Sequence, residues 1–273
     1  MRPEVWVSKC QIRTGSAAGF EWSVPAGVDL ATACETWAGF PLLFQPGTEW
    51  NYSVATDVLG RVVEVAAGQR LDEFFAARIL GPLGMTDTAF YVSDESAGRL
   101  AALYTPAADG TTARLDSLGR VPHQPARLNS GGGGLLSTAA DYHRFLHMLL
   151  DTPGSPAGEL DGIRLLGPRT VGYMARNHLP GGLDLETFGR PLFAESQFAG
   201  VGFGLGFGVV IDPVRTRMMC SEGELTWGGA ASTGFWIDQR EELAVAFYTQ
   251  LLPSSTYRIR PQLRQLVYQA LTG

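Results

Sequence analysis

The sequence predicts an α+β fold in which an antiparallel sheet is flanked by helices. In the first two-thirds of the chain, apolar residues recur at helical spacing in several separate segments. From Phe203 onward they alternate with small or polar residues, which is typical of strands. One more helical segment closes the chain. Because the strands follow one another with short turns between them, antiparallel pairing is expected.

The helices are bounded by recognisable start and stop signals. Gly68 ends one apolar run, Gly81-Pro82 ends the next, and the pair Ser137-Thr138 offers an N-cap for a third. The predicted helices are 54–66, 71–80, the segment after Ser137-Thr138, 168–174 and 263–271. Residues up to about 47 are expected to be loop with short helical pieces, and 94–124 a long polar loop.

Four strands are predicted in the last third of the chain. They are GFGLGFGVVID, RTRMMCS, ELTWGGAASTGFWID and LAVAFYTQ, with hairpin turns at 221–223 and 239–242 and a short extra strand at 163–166. We expect a helix-rich lobe, about 1–195, and a meander with a terminal helix, about 196–273, to form one domain.

Composition excludes several classes of function. The 273 residues carry a net charge of -6 and no run of basic residues, which argues against a nucleic-acid partner. No apolar run approaches the ~20 residues of a membrane span. The three cysteines have no zinc or thioredoxin spacing, so reduced thiols are expected. The N-terminus has no apolar signal region, so a cytoplasmic protein is expected unless an earlier signal has been lost.

The segment PGTEWNYSV holds the first candidate site residue, Tyr52. A turn places this tyrosine just before a helix, with Ser53 as the expected N-cap. The positive potential at a helix N-terminus favours the phenolate form that a tyrosine general base requires. The alternative is an aromatic pair, Trp50 and Tyr52, that only packs the start of the helix.

The second candidate is the glycine-containing strand around Trp227-Gly228-Gly229-Ala230. Small residues within a strand lose packing energy unless something approaches the backbone closely. One interpretation is an edge strand that lines a cleft and offers a backbone N–H to an oxyanion. The other is a bulge or a tight contact with a neighbouring helix, and the spacing alone favours neither.

Other motifs point to no cofactor or metal. Four glycines follow Ser130, but no Gly-Lys-Ser/Thr comes after them, so a phosphate loop is not expected. His143, His147 and Asp151 lie too far apart along one helix face to share an ion easily. No GxSxG nucleophile motif occurs.

Six segments in order resemble the β-lactamase-like serine hydrolases, most closely the family VIII carboxylesterases and the class C β-lactamase group. They cover about 41–255 and are LLFQPGTEWNYSVATDVLGRVVEVAAG, RILGPLGMTDTAF, NSGGGGLLSTAADYHRFLHMLL, LDGIRLLGPRTVGYMARNHLP, GFGLGFGVVIDP and WGGAASTGFWID, which leads into FYTQLLPSS. The resemblance implies a β-lactamase/transpeptidase-like fold and hydrolysis of an ester substrate through an acyl-enzyme, without cofactor or metal.

The resemblance also implies roles for individual residues. Tyr52 corresponds to the tyrosine that carries protons for the nucleophile. Trp227-Gly228-Gly229 corresponds to the third family motif, and the N–H of Ala230 to the oxyanion donor. Ser53, Val54, Ser130 and Gly131 are expected along the cleft wall. Val54 and Trp227 replace the asparagine and the cation of lactamases, which favours short-chain esters over β-lactams.

The family nucleophile belongs to a Ser-x-x-Lys motif, which this sequence does not contain. Lys9 is the only lysine, and Trp6 stands three residues before it. The first strands of the family sheet are also missing, which leaves an unpaired sheet edge. We therefore expect an N-terminally incomplete hydrolase, inactive alone, whose partners are a missing N-terminal segment or a second copy.

Two other functions remain open at this stage. A non-catalytic protein could keep the acyl pocket and bind esters without turnover. Alternatively, a remodelled hydrolase could use Ser53, Ser130 or Ser232 as its nucleophile, although the sequence places no evident base beside any of them.

Overall fold

The computed structural model describes residues 20–21, 24–25, 27–42, 44–116, 127–189 and 197–272. Trp6 and Lys9, on which the missing motif depends, lie outside these residues. The chain divides into two compact units. The first is formed by the described residues of Met1–Gly81, Thr86–Ala97 and Val121–Ser137, and the second by those of Pro82–Met85, Gly98–Arg120 and Thr138–Gly273. In the described ranges, no helix is long and apolar enough to cross a membrane.

The first unit is helical. Its elements are the paired strands β1 (Phe20–Glu21) and β2 (Val24–Pro25), and the helices α1 (Leu30–Ala38), α2 (Ala55–Ala67) and α3 (Leu71–Phe75), which continues as a π-helical turn, Ala76–Leu80. Its buried core cluster is Leu30, Ala33, Trp37, Leu71 and Phe90. The predicted helices at 54–66 and 71–80 are confirmed. Gly68 ends α2 in the left-handed conformation, with φ of 66°.

A glycine loop, residues 131–134, packs against the first turn of α2. A Cβ on Gly131 would overlap the carbonyl oxygen of Thr56, and one on Gly132 would lie 3.0 Å from Asp57 Oδ2. A Cβ on Gly134 would lie 2.9 Å from the ring of Phe90. Glycine at position 131 is therefore required for the close approach of the loop backbone to α2, whereas Gly132 and Gly134 leave room for the side chains of Asp57 and Phe90.

The second unit combines a five-stranded sheet with helices. Its elements are β3 (Tyr104–Pro106), β4 (Thr112–Arg114), α4 (Ala139–Leu149), β5 (Glu159–Leu160), β6 (Ile163–Arg164), α5 (Pro168–Met174), α6 (Leu185–Phe188), β7 (Val201–Phe203), β8 (Gly208–Val210), α7 (Pro213–Thr216), β9 (Leu225–Gly228), β10 (Gly234–Asp238), β11 (Leu243–Phe247) and α8 (Ile259–Ala270). The sheet order is β11-β10-β9-β8-β7, antiparallel throughout. The predictions of α4, α5 and α8 are confirmed. Thr138 caps α4 by accepting the Asp141 N–H at 3.2 Å.

The predicted number of strands in the meander is wrong. Each long glycine-containing segment that was predicted as one strand is two, β7 with β8 and β9 with β10, because the glycines allow tight turns between them. The predicted strand RTRMMCS is instead the end of α7 and a following turn. Asp212 caps this helix by accepting the Arg215 N–H at 3.1 Å, and Pro213 stands at its first position.

The predicted loop at 94–124 contains regular structure in its described part. A 3₁₀ turn, Ala97–Arg99, precedes the hairpin β3–β4. Asp109 accepts hydrogen bonds from the N–H and the hydroxyl of Thr111, and Gly110 has φ of 82°. The Asp-Gly pair is a hairpin signal that the polar composition concealed.

Helix α8 contacts the sheet through a stripe of polar side chains that are spaced one helical turn apart. This polar stripe consists of Arg260, Arg264 and Tyr268. The guanidinium of Arg264 binds both carboxylate oxygens of Glu224, the residue just before β9, and lies 4.6 Å above the Trp236 ring. Glu224 is 1% exposed, so the pair is removed from solvent. A buried carboxylate requires such a partner because desolvation otherwise favours its neutral form.

The Tyr268 hydroxyl joins two buried carboxyl groups. It lies 2.7 Å from Glu224 Oε2 and 2.5 Å from Asp238 Oδ2. The Tyr268 hydroxyl therefore lies within hydrogen-bond distance of both side chains. Burial raises the pKa of Glu224, while Arg264 and Tyr268 act against that rise. The phenol thus stabilises the ionised form of Glu224, which burial disfavours.

Substituting Tyr268→Phe is expected to lower the free energy of unfolding by about 1–3 kcal/mol, since it leaves buried acceptors without their donor. The Tyr268 hydrogen bond lowers the pKa of Glu224 in the folded state, and its loss raises that pKa further. The difference between wild type and variant should therefore grow as the pH rises through the folded-state pKa of Glu224, which burial holds above the ordinary value of 4.5. Urea unfolding at several pH values measures it. Tyr257→Phe, at a tyrosine that is 52% exposed, is the matched control.

Substituting Gly131→Ala is expected to destabilise the chain by about 1–3 kcal/mol, because the added methyl group forces the loop away from α2. Gly133→Ala is the control, since a Cβ at that position meets no atom within 4 Å. Thermal unfolding of both variants tests the difference. Equal midpoints would show that the loop does not depend on this contact.

Candidate functional site

Tyr52 lies at the N-terminal end of α2. Its side chain is 53% exposed, and its ring centroid is 6.2 Å from that of Trp50. The predicted N-cap is displaced by one residue: Val54 is the N-cap, and Ser53 precedes it. The Ser53 hydroxyl nevertheless accepts the Ala55 N–H at 3.1 Å. The exposed phenol thus stands two residues before the N-cap of the 13-residue helix α2.

Ser130 and Gly131 lie against the first turn of the same helix. The Ser130 hydroxyl donates to Asp57 Oδ1 at 2.5 Å and accepts the Gly132 N–H at 3.2 Å. Asp57 is buried and occupies the first turn of α2, where the helix dipole favours its negative charge. The first unit thus brings the predicted residues Ser53, Val54, Ser130 and Gly131 to one helix end.

The sequence-based reasoning overlooked Asp57. The available signal was an acidic residue in the first turn of a helix, four positions after the expected N-cap Ser53. Its carboxylate provides the charged partner that no sequence pattern placed beside Ser130. The contact anchors the glycine loop to the helix and occupies the serine hydroxyl.

In the second unit, residues 229–233 form the turn between β9 and β10. The Gly229 N–H donates to the Thr233 carbonyl at 2.7 Å, and the Ser232 N–H donates to the Gly229 carbonyl at 3.1 Å. Ala230 stands exposed at the tip. In the part of the chain that the structure describes, the Ala230 N–H has no acceptor. A backbone donor is therefore held at the surface, where it is accessible to solvent or to a ligand.

The 229–233 turn is anchored to the segment after β11. The Ser232 hydroxyl donates to the Leu251 carbonyl at 2.7 Å, and the Leu251 N–H donates to the Ala231 carbonyl at 3.1 Å. The Thr233 hydroxyl donates to the Thr249 carbonyl at 3.0 Å. Ser232 is 1% exposed and has φ of 73°, a conformation that is rare for residues other than glycine. Its buried hydroxyl, committed to Leu251, is not available as a nucleophile.

Arg260 of α8 lies directly against this turn. Its Nη2 donates to the Gly229 carbonyl at 2.6 Å and to the Thr233 carbonyl at 2.8 Å. A Cβ on Gly228 would overlap the guanidinium, and one on Gly234 would lie 3.0 Å from Cδ and Nε of Arg260. The tight contact with a neighbouring helix, one of the two interpretations of these glycines, is therefore confirmed.

Trp227 packs in an aromatic cluster. Its ring centroid lies 5.6 Å from that of Phe198 and 5.2 Å from that of Phe203. Strand β9 pairs with β10 along its whole length, whereas the register with β8 covers Leu225 and Thr226. The Trp227 end of β9 thus combines an aromatic surface with the turn that carries Ala230.

The polar face of α4 carries two histidines, His143 and His147, and Asp151 follows the helix. The rings of His143 and His147 are exposed, with centroids 4.5 Å apart, and Asp151 Oδ1 accepts the Ala157 N–H. Burial, and next the neighbouring His143, lower the pKa of His147. Within the described ranges, no group of three potential ligands could hold a metal ion.

Curated relatives include esterases. The chain is 32% identical over 216 residues to a lovastatin esterase of Penicillium rubens, covering 75% of this chain and 51% of the relative. It is 30% identical over 227 residues to esterase EstB of Burkholderia gladioli, covering 78% and 52%. Protein Rv1367c of Mycobacterium tuberculosis is 36% identical over 228 residues, covering 79% and 52%. The chain thus spans about half the length of these relatives.

Solved structures show the same fold. EstCE1, described as a hydrolase with promiscuous acyltransferase activity, superposes with a TM-score of 0.72 at 26% identity, covering 94% of this chain and 65% of that one. A variant of the simvastatin synthase LovD from Aspergillus terreus superposes with a TM-score of 0.71 at 24% identity, covering 89% and 63%. The family model described as Beta-lactamase matches residues 14–269. This chain therefore belongs to the β-lactamase family and has its β-lactamase/transpeptidase-like fold, shared with esterases and acyltransferases.

Proposed function

We propose that this chain carries the oxyanion and proton-transfer elements of an acyl hydrolase that acts on short-chain esters through an acyl-enzyme. The observation that carries the proposal is the Ala230 N–H, which has no acceptor in the described part of the chain and stands at the exposed tip of an anchored turn. A tetrahedral oxyanion needs such a preorganised donor. The esterases among the relatives support ester chemistry.

Tyr52 is the proposed general base. It stands just before the N-terminus of α2, and its exposed side chain is accessible to substrate. The apolar side chain of Val54 follows it, and the aromatic cluster around Trp227 offers no charge to a lactam carboxylate. Both features favour the acyl group of a simple ester.

The 273 residues do not contain the Ser-x-x-Lys motif that carries the family's nucleophile. Since no Ser-x-x-Lys occurs, we propose that this chain alone does not form the acyl-enzyme. The same observation favours a second function, in which the chain binds acyl compounds without turning them over. The cytoplasmic location, the ester partner and any homo-oligomer or N-terminal partner segment stay predictions.

Exposure to a fluorophosphonate is expected to leave the intact mass of the purified chain unchanged, and p-nitrophenyl butyrate is expected not to be hydrolysed. Intact-mass spectrometry and the release of p-nitrophenol measure the two results, with an active serine esterase as the positive control. A stoichiometric adduct mapped to Ser53 or Ser130 would instead show a remodelled hydrolase, and its Ser→Ala variant should then abolish turnover.

Substituting Ala230→Pro tests the oxyanion donor itself. Ala230 is the second residue of the β-turn closed by the Ser232 N–H to Gly229 carbonyl bond, a position that proline suits. The variant thus removes the N–H with little change to the turn. We expect it to weaken the binding of methyl butyrate, measured by saturation-transfer NMR, and to lower kcat about 10²–10³-fold in any preparation that is active, since the donor acts mainly on the transition state.

Ala231→Gly is the control for that experiment, because it alters the same turn but keeps the Ala230 N–H. Equal ester binding by the wild type and both variants would show that the donor plays no part. Binding of the ester by the wild type without hydrolysis would support the acyl-binding function over the hydrolase.

A further inference from the structure

We propose that Arg260 is a positioning residue for the oxyanion donor, acting through the Gly229–Ala230 peptide bond. This inference rests on the proposed function, because it concerns how the Ala230 N–H is aimed and polarised. Arg260 contacts the carbonyl side of the peptide, so the guanidinium need not touch the substrate.

The guanidinium of Arg260 contacts three carbonyl oxygens of one turn. Nη2 donates to Gly229 at 2.6 Å and to Thr233 at 2.8 Å. Nε donates to Ser232 at 3.4 Å, a longer and weaker contact. A planar fork that meets several acceptors constrains orientation as well as distance. The position of the turn is thereby tied to helix α8.

The Gly229 carbonyl and the Ala230 N–H belong to the same peptide unit. Because that unit is planar and trans, its C=O and N–H bonds point in opposite directions. Holding the Gly229 oxygen on the guanidinium therefore fixes the direction of the Ala230 N–H on the other side. Arg260, on the carbonyl side of the peptide unit, therefore determines the direction in which the Ala230 N–H points.

The same contact strengthens the donor. The Gly229 oxygen accepts from two partners, the cationic Arg260 and the Ser232 N–H. Charge-assisted hydrogen bonds are stronger than neutral ones, and hydrogen bonds that share a polarisable amide reinforce one another. Electron density withdrawn through the carbonyl makes the Ala230 proton more positive. An oxyanion that forms against it is stabilised without any reorganisation of the protein.

The surrounding residues are arranged to admit this arginine. The glycines at positions 228 and 234 leave the volume that the Arg260 side chain occupies free. One helical turn further along α8, Arg264 is bound to the buried Glu224 and prevents the helix from sliding along the sheet. Tyr268 adds a third anchor one turn later. The polar stripe of α8 thus fixes the position of Arg260 relative to the 229–233 turn.

The test compares Arg260→Lys and Arg260→Gln with the control variant Arg258→Lys. Arg258 is an exposed arginine immediately before α8. Lysine keeps the charge but loses the fork, whereas glutamine keeps amide donors but loses the charge. NMR on the full chain measures amide exchange at Gly229 and Ser232 and the Ala230 amide proton shift. We expect the two amides to exchange about tenfold faster in both Arg260 variants, equivalent to one lost hydrogen bond. We also expect the chemical shift of the Ala230 amide proton to move upfield, with the largest change in Arg260→Gln.

Ester binding and turnover are measured on the same samples. In a preparation that hydrolyses p-nitrophenyl butyrate, Arg260→Lys should lower kcat about tenfold with KM changed less than about twofold, since the donor acts on the transition state. Arg258→Lys should match the wild type in every readout. Circular dichroism confirms that the variants are folded.

The outcomes separate this inference from the proposed function. Unchanged Ala230 shifts and exchange rates in both Arg260 variants would overturn the positioning role, whatever the activity. Altered shifts in a chain whose wild type neither binds nor hydrolyses esters would support the positioning of the peptide and overturn its use as an oxyanion site.

Discussion

The pairing of Arg264 with Glu224 is the interaction on which the second unit depends. Both side chains are buried, and neither charge is tolerated without the other, since breaking such a pair costs about 3–5 kcal/mol. The pair joins α8 to the start of β9, two elements forty residues apart in the chain. Every other polar contact of α8 with the sheet is built from this fixed point.

The polar stripe of helix α8 therefore makes two kinds of contact, one with buried carboxyl groups and one with backbone carbonyls. Tyr268 and Arg264 bind the buried carboxyl groups, and Arg260 reaches the turn between β9 and β10. An apolar stripe would bury the helix equally well but would leave the carbonyls of residues 229 and 233 without these donors. The polar stripe gives up some hydrophobic stabilisation and gains a defined orientation of the turn.

Glycine has the same physical purpose in both units. At Gly131 it lets a loop approach the first turn of α2, and at Gly228 and Gly234 it lets a guanidinium approach a strand. In each case the small residue makes room for a polar contact at the edge of a candidate site. The two anchored segments carry Ser130 and Ala230, which stand beside the predicted functional residues of their units.

Local signals in the sequence determined most of the helices. Thr138 capping α4 and Gly68 ending α2 act on their own neighbours, so their effect was predictable without tertiary contacts. The order of six segments likewise predicted the family. Predictions were wrong where one local signal masked another, as when the alternation in RTRMMCS concealed the Asp212-Pro213 helix start.

Only the tertiary structure decided how the candidate site is held. Asp57 meets Ser130 across 73 positions, and Arg260 meets the Gly229 carbonyl across 31. Periodicity reports which face of an element is apolar, but it contains no information on which polar group a distant element will bring opposite it. The sequence alone thus determined most of the helices and the family, and it predicted Tyr52 and Ala230 as site residues. The contacts that hold Ser130 and Gly229 followed from the packing of helices against loop and sheet, since hydrogen bonds depend on distance and direction in space.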